Sequence, residues 1–223
     1  MVKGVPDLFQ TLANPMFLFT VIVVPLSLVI HEFSHALTAD LLGDKTARMA
    51  GRLTLNPLAH LELLGLLMML FAPIGWAKPT PVNPQYFKRP RLGFILTALA
   101  GPVSNLVLAA LCLWLLKLFW NPLGGAAWNF FSRLLSIGAI INVNLFIFNL
   151  IPIPPLDGGQ IVSRLLPLKW EYKYQKFAVY GPFLLLLVVM IPPLQGITIL
   201  PLLRFTLDAI VSVFGFQVPP VIV

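Results

Sequence analysis

Long apolar runs joined by short basic connections limit what this chain can fold into more than any other feature. Residues 15–42, 93–120 and 126–151 each exceed the roughly 20 helical residues needed to cross a hydrocarbon core of about 30 Å. Two further apolar runs lie near 177–191 and 197–215. Only 10% of the 223 residues are charged and the mean hydropathy is +0.90, whereas a soluble domain carries about a quarter charged residues. The expected fold class is an all-α polytopic membrane protein of about five to six membrane helices or segments. No length remains for a separate soluble domain.

Charge placement orients the runs. A net charge of +7 does not point to a nucleic-acid partner, because the Lys and Arg residues fall mainly in the short connections, where cytoplasmic loops carry them. The connection at Asn121–Gly125 is uncharged and is expected outside. Segment 61–77 has basic residues on both flanks, which predicts a re-entrant or tilted segment rather than a crossing. With the N-terminus outside, all the basic connections then share the cytoplasmic face. Residues 44–60 turn polar, and Arg52-Leu53-Thr54-Leu55-Asn56 alternates with the period of a strand, predicting a short strand or β-hairpin after the first helix. The run from Pro15 has no small-residue cleavage site and leads directly into charged residues, so no cleaved signal peptide is expected. Cys112 is the only cysteine, which excludes an intramolecular disulfide.

The chemistry is concentrated in His31-Glu32-Phe33-Ser34-His35, in the last third of the first helix. Residues four apart on a helix are separated by about 40° around its axis, so both imidazoles can reach one metal ion. Glu32 is rotated by about 100° and can serve an open coordination position. A catalytic zinc keeps three protein ligands and one water, and an adjacent carboxylate can take a proton from that water. With three His in the chain and as few Glu, chance would produce this pattern about once in two thousand shuffled sequences. Ionisable groups inside an apolar run are costly unless they are satisfied, which also marks them as functional.

A third ligand must come from elsewhere. The extended soluble pattern would need glycine at position 38 and histidine at 41, where the chain has Thr38 and Leu41. Asp40, His60, Glu62 and Asp157 remain. Asp40 lies about 140° round the helix from His35 and is poorly placed for the same ion. His60 and Glu62 flank the start of segment 61–77 and could be outer partners of the metal site, helix-start residues or a snorkelling pair. Asp157 follows Asn149-Leu150-Ile151-Pro152-Ile153-Pro154-Pro155 and precedes Gly158-Gly159. Such a proline-glycine frame at membrane depth is tolerated where backbone lines a cavity or is covered by protein; the plainer use of Asp157 is a helix cap. Gly101-Pro102 within an apolar run marks a kink or close packing, with Asn105 as an interhelical hydrogen-bonding residue.

Three motifs together resemble the site-2 protease family of intramembrane zinc metalloproteases. They are HEFSH, Ala100-Gly101-Pro102-Val103-Ser104-Asn105, and Asn149 followed by Asp157-Gly158-Gly159. Gly51 to His60 and Gly75-Trp76-Ala77-Lys78-Pro79 further resemble its compact prokaryotic branch. The chain departs from that branch after His60-Leu61, with Glu62-Leu63 in place of an aspartate and a proline. The resemblance implies one Zn2+ per chain held by His31, His35 and Asp157. It implies Glu32 as general base and acid, Asn149 as a stabiliser of the tetrahedral intermediate, and a three-helix catalytic core. It further implies a single membrane-embedded metalloprotease domain over residues 1–223, in a prokaryotic cell membrane, and the charge-derived topology brings the motif on the first helix and the one after Leu150 together towards the cytoplasmic face. The substrate would be a transmembrane segment of another protein, cleaved in regulated intramembrane proteolysis, with the bilayer as the other partner and no nucleic acid. A transporter, or a metal-binding membrane protein without catalysis, is the rival class. The chain shows no repeated halves and Glu32 is intact, which speaks against both.

Overall fold

A computed structural model describes residues 15–60, 62, 65, 77–119 and 125–215. Helix α1 (Pro15–Leu41) is followed by two one-turn helices, α2 (Thr46–Met49) and α3 (Pro57–His60), and then by α4 (Pro90–Leu118) and α5 (Ala126–Leu150). The remainder is α6 (Asp157–Leu165), α7 (Leu168–Phe177), α8 (Gly181–Met190), α9 (Pro192–Ile197) and α10 (Ile199–Phe214). The all-α expectation holds. Four stretches of the described residues are long and apolar enough to cross a membrane: Phe19–Leu41, Pro90–Leu118, Asn129–Leu150 and Pro192–Phe214. The run expected near 177–191 takes in the last residue of α7, a 3-10 turn at Ala178–Tyr180 and the ten-residue α8, which alone is about 15 Å long, half the thickness of a hydrocarbon core. Most of segment 61–77, with its expected re-entrant course, lies outside the described residues.

The predicted strand or hairpin after the first helix does not form. Residues 44–60 make turns and one-turn helices, because side chains there satisfy backbone groups locally. Asp44 Oδ1 accepts from the Thr46 amide at 2.9 Å, and Asn56 Oδ1 accepts from the Leu58 amide at 3.1 Å just before Pro57 starts α3. The alternation at 52–56 reflects one inward side chain. Arg52 is buried, and its guanidinium donates to the carbonyls of Ala59 and Lys78.

The centre of the molecule is α4, which packs along α5 and α1 and also meets α6. At one end small and β-branched residues let α4, α5 and α10 approach closely, in a cluster of Ala109, Leu113, Ala139, Val143, Leu207 and Val211. Nearer the other end the α1–α4–α5 interface becomes polar, with Ser27, His31, Asn105 and Asn142 all buried. Exposed apolar side chains such as Ile22, Leu26, Val107, Phe205 and Val213 cover the outer faces of α1, α4 and α10, as lipid contact requires.

Between α5 and α6 the chain turns back through Pro152, Pro154 and Pro155, with a cis Pro154–Pro155 peptide. The Gly158-Gly159 pair then lets α6 start directly beneath that connection. A Cβ on Gly158 would overlap the Leu150 carbonyl, and one on Gly159 the backbone at Ile153 and Pro154. The N-terminus of α6, with Asp157 as its first residue, is thereby brought against α1 and α4. At its far end Arg164 pairs with buried Glu171 of α7 at 2.9 Å, and Arg91 of α4 approaches the same carboxylate at 3.4 Å.

Candidate metal centre

The i, i+4 spacing on α1 brings the imidazoles of His31 and His35 edge to face, with their Nε2 atoms 3.0 Å apart. Asp157 enters from α6, its Oδ2 lying 3.2 Å from His31 Nε2 and 3.4 Å from His35 Nε2. All three residues are buried or nearly so. Among the described residues these three form a group whose ligand atoms lie within 4.8 Å of one another. The cap position of α6 is Leu156, and Asp157 is the first helical residue, its Oδ2 turned to the two imidazoles.

Donors and acceptors behind the ligands fix the direction in which each imidazole presents its lone pair. Asn142 Nδ2 donates to the Gly138 carbonyl and to Ser27 Oγ, both at 2.9 Å. Its Oδ1 is thereby turned to accept from Asn105 Nδ2, also at 2.9 Å. Asn105 Oδ1 must then accept from His31 Nδ1, at 2.6 Å. On the other ligand, His35 Nδ1 donates to the Thr97 carbonyl at 2.7 Å. With the proton of each neutral ring committed at Nδ1, both Nε2 atoms offer lone pairs.

Two lone pairs and a carboxylate oxygen thus converge within 3.4 Å, and the oxygen, Asp157 Oδ2, is buried without a hydrogen-bond donor. Three acceptors meeting in a buried space require a cation, and two nitrogens with one oxygen suit zinc. Asp157 lies outside the candidate membrane spans.

Gly101 makes the close approach possible. Its missing side chain faces the ligands, and a Cβ there would overlap His35 and stand 2.6 Å from His31 Nε2. The close packing expected of Gly101-Pro102 is therefore packing against the metal ligands.

Glu32 lies next to this group and, with His35, Thr80, Phe94, Asp157 and Gln160, lines a cavity of about 330 Å³. Its Oε2 accepts from the Thr80 amide at 2.9 Å and from Thr80 Oγ1 at 2.7 Å. Of the other third-ligand candidates, Asp40 is held by Arg48 at 2.7 and 2.8 Å and by Lys45 at 3.1 Å. His60 is fully buried and donates from Nε2 to the Thr54 carbonyl at 2.7 Å. Glu62 is exposed. Asn149 donates to the Leu145 carbonyl of its own helix at 2.9 Å and is not among the residues lining the cavity. Sequence reasoning missed Thr80, Asn142 and the Thr97 carbonyl. Asn142 carries a signal, as a polar residue in an apolar run two helical turns before Asn149.

The model of Peptidase family M50 matches residues 122–189. The chain is 39% identical over 207 residues to YwhC of Bacillus subtilis (strain 168), covering 92% of this chain and 94% of the relative. It is 35% identical over 174 residues to Rip2 of Mycolicibacterium smegmatis, covering 75% of this chain and 64% of the relative. Rip2 of Mycobacterium tuberculosis (strain H37Rv) is 32% identical over 176 residues, covering 76% and 66%. All three relatives bear the name "Putative zinc metalloprotease". No solved structure shows a significant match. The apolar helices make the chain an integral membrane protein, and the matched family makes it a zinc metalloprotease: it belongs to peptidase family M50, the site-2 proteases.

Proposed function

We propose that this zinc metalloprotease cleaves peptide bonds in or near transmembrane segments of membrane-protein substrates, acting in regulated intramembrane proteolysis with His31, His35 and Asp157 as its zinc ligands. The observation that carries the reading is the depth of the convergent triad. His31 lies ten residues, about 15 Å, back from the end of α1 at Leu41, within a helix long and apolar enough to span the membrane. A peptide bond cleaved there must be delivered within the bilayer, where it is shielded by its own helical hydrogen bonds until the substrate unwinds locally.

Zinc bound to the triad supplies polarisation of the scissile carbonyl and acidification of water. Glu32, beside the triad and open to the cavity, takes the proton from the attacking water and returns it to the leaving amine. Asn149 keeps a second Nδ2 hydrogen beyond the one donated to Leu145, and that hydrogen is the one available to developing charge on the carbonyl oxygen. The active site is assigned to the cytoplasmic side. The basic residues Arg48, Lys78, Arg164, Lys169 and Lys173 belong to the connections and short helices at the triad's end of the bundle, and Arg91 to the first turn of α4.

The test compares wild type, Glu32→Gln and Asp157→Ala for zinc content and for cleavage of a model transmembrane peptide in detergent. The expected result is near-stoichiometric zinc in wild type and Glu32→Gln, reduced zinc in Asp157→Ala, and cleavage by wild type alone. Undiminished zinc in Asp157→Ala would remove that residue from the ligand set. Cleavage by Glu32→Gln would remove Glu32 as the base.

A further inference from the structure

Residues 77–83 run along the Glu32 side of the cavity, and their most specific contact is the grip of Thr80 on Glu32. Two donors of one residue converge on one carboxylate oxygen, at 2.9 Å from the amide and 2.7 Å from the hydroxyl. The same hydroxyl lies 3.1 Å from the Glu32 carbonyl. Oε1 is engaged by neither donor.

Local sequence prepares Thr80 for this. Pro79 and Pro81 flank it, so Thr80 carries the only backbone N–H of those three residues, and a residue before proline is kept out of helical geometry. Buried polar groups anchor the segment on both sides. The Lys78 amide donates to the His60 carbonyl at 2.8 Å, and Arg52 donates to the Lys78 carbonyl at 3.3 Å. The Asn83 amide donates to Asp44 Oδ2 at 2.6 Å, and Asp44 is fully buried. Asp44, Arg52 and His60 thus hold the ends of a short extended stretch whose centre is Thr80.

We infer that Thr80 is a positioning residue for Glu32: by committing Oε2 to two donors it fixes the carboxylate against the metal triad and leaves Oε1 as the oxygen that exchanges the proton. The inference rests on Glu32 being the general base. Hydrogen bonds to an ionised group are short and directional, and a base held in place before substrate arrives needs no reorganisation during the reaction. A threonine hydroxyl can be removed with little change in volume by valine, or retained by serine, so the contact can be tested apart from packing.

The experiment uses the full zinc-loaded chain in detergent and a model transmembrane peptide, with wild type, Thr80→Val, Thr80→Ser and Glu32→Gln compared for kcat, KM, zinc content and melting temperature. Thr80→Val is expected to lower kcat about tenfold or more with KM within about twofold. Its zinc content and melting temperature should match wild type, and Thr80→Ser should restore kcat to within about threefold of wild type. Wild-type kcat in Thr80→Val, a loss confined to KM, or a Thr80→Ser defect as deep as that of Thr80→Val would overturn the inference. If Thr80→Val melts early, Thr80→Ser decides: near-wild-type kcat supports the role and a deep loss sinks it. Cleavage by Glu32→Gln marks a different failure, that of the general base itself.

Discussion

At the scale of single residues, the centre depends as much on a side chain that is missing as on those present. Gly101 lies against both imidazoles, and a methyl group there has no space. Gly101→Ala should therefore displace His35 and His31, lowering cleavage by about a hundredfold, since shifts near 1 Å cost that much. Zinc content should fall with it while the helical circular dichroism stays unchanged. A variant with full zinc and full activity would mean that the imidazoles have room to retreat. Glycine at this position reads from sequence as helix packing, because nothing in a linear pattern shows which neighbour a small residue faces. The two histidines and Glu32 are legible because helical geometry alone puts residues four apart on one face. Asp157 is reached through the resemblance, since its 122-residue separation from His35 gives local periodicity nothing to work with.

At the scale of elements, the long helices follow from length and apolarity, and their ends at Leu41, Pro90 and Leu150 fall close to the expected ones. The connections are less legible. Alternation at 52–56 suggests a strand, yet Arg52 turns inward to serve the carbonyls of Ala59 and Lys78, a choice set by residues 7 and 26 positions away. Thr80 stands in a proline-rich stretch without a period, so its partner on α1 cannot be read from pattern. What unites α1, α4 and α5 is the chain of amides from Gly138 through Asn142 and Asn105 to His31. Asn142→Leu, close in volume, removes the group that orients Asn105. We expect zinc affinity to fall about ten- to a hundredfold, the usual range for groups behind a metal ligand. Competition with a calibrated chelator measures this directly, and unchanged affinity would show that Asn105 holds His31 without support from α5.

At the scale of the whole molecule, charge and depth give the assembly its direction. The four candidate spans carry few charges, whereas α7 exposes Lys169, Lys173 and Lys176 together with Trp170 and Tyr172, and α7 is joined to the ligand-bearing α6 through the pair of Glu171 with Arg164. If this end faces the cytoplasm, a cysteine placed by Lys173→Cys in a Cys112→Ala background should resist an impermeant thiol reagent in intact cells. It should react once the membrane is opened. Labelling in intact cells would reverse the assignment.

The distance along the chain between the proposed ligands has a consequence for biosynthesis. A nascent chain that has delivered its first helix to the bilayer holds the two imidazoles without the third proposed ligand, and 121 residues must still be made before Asp157 follows His35. A ribosome therefore releases competence late. On the proposed ligand set an unfinished chain lacks one of its three zinc ligands, and the protease gains activity only when its core is complete.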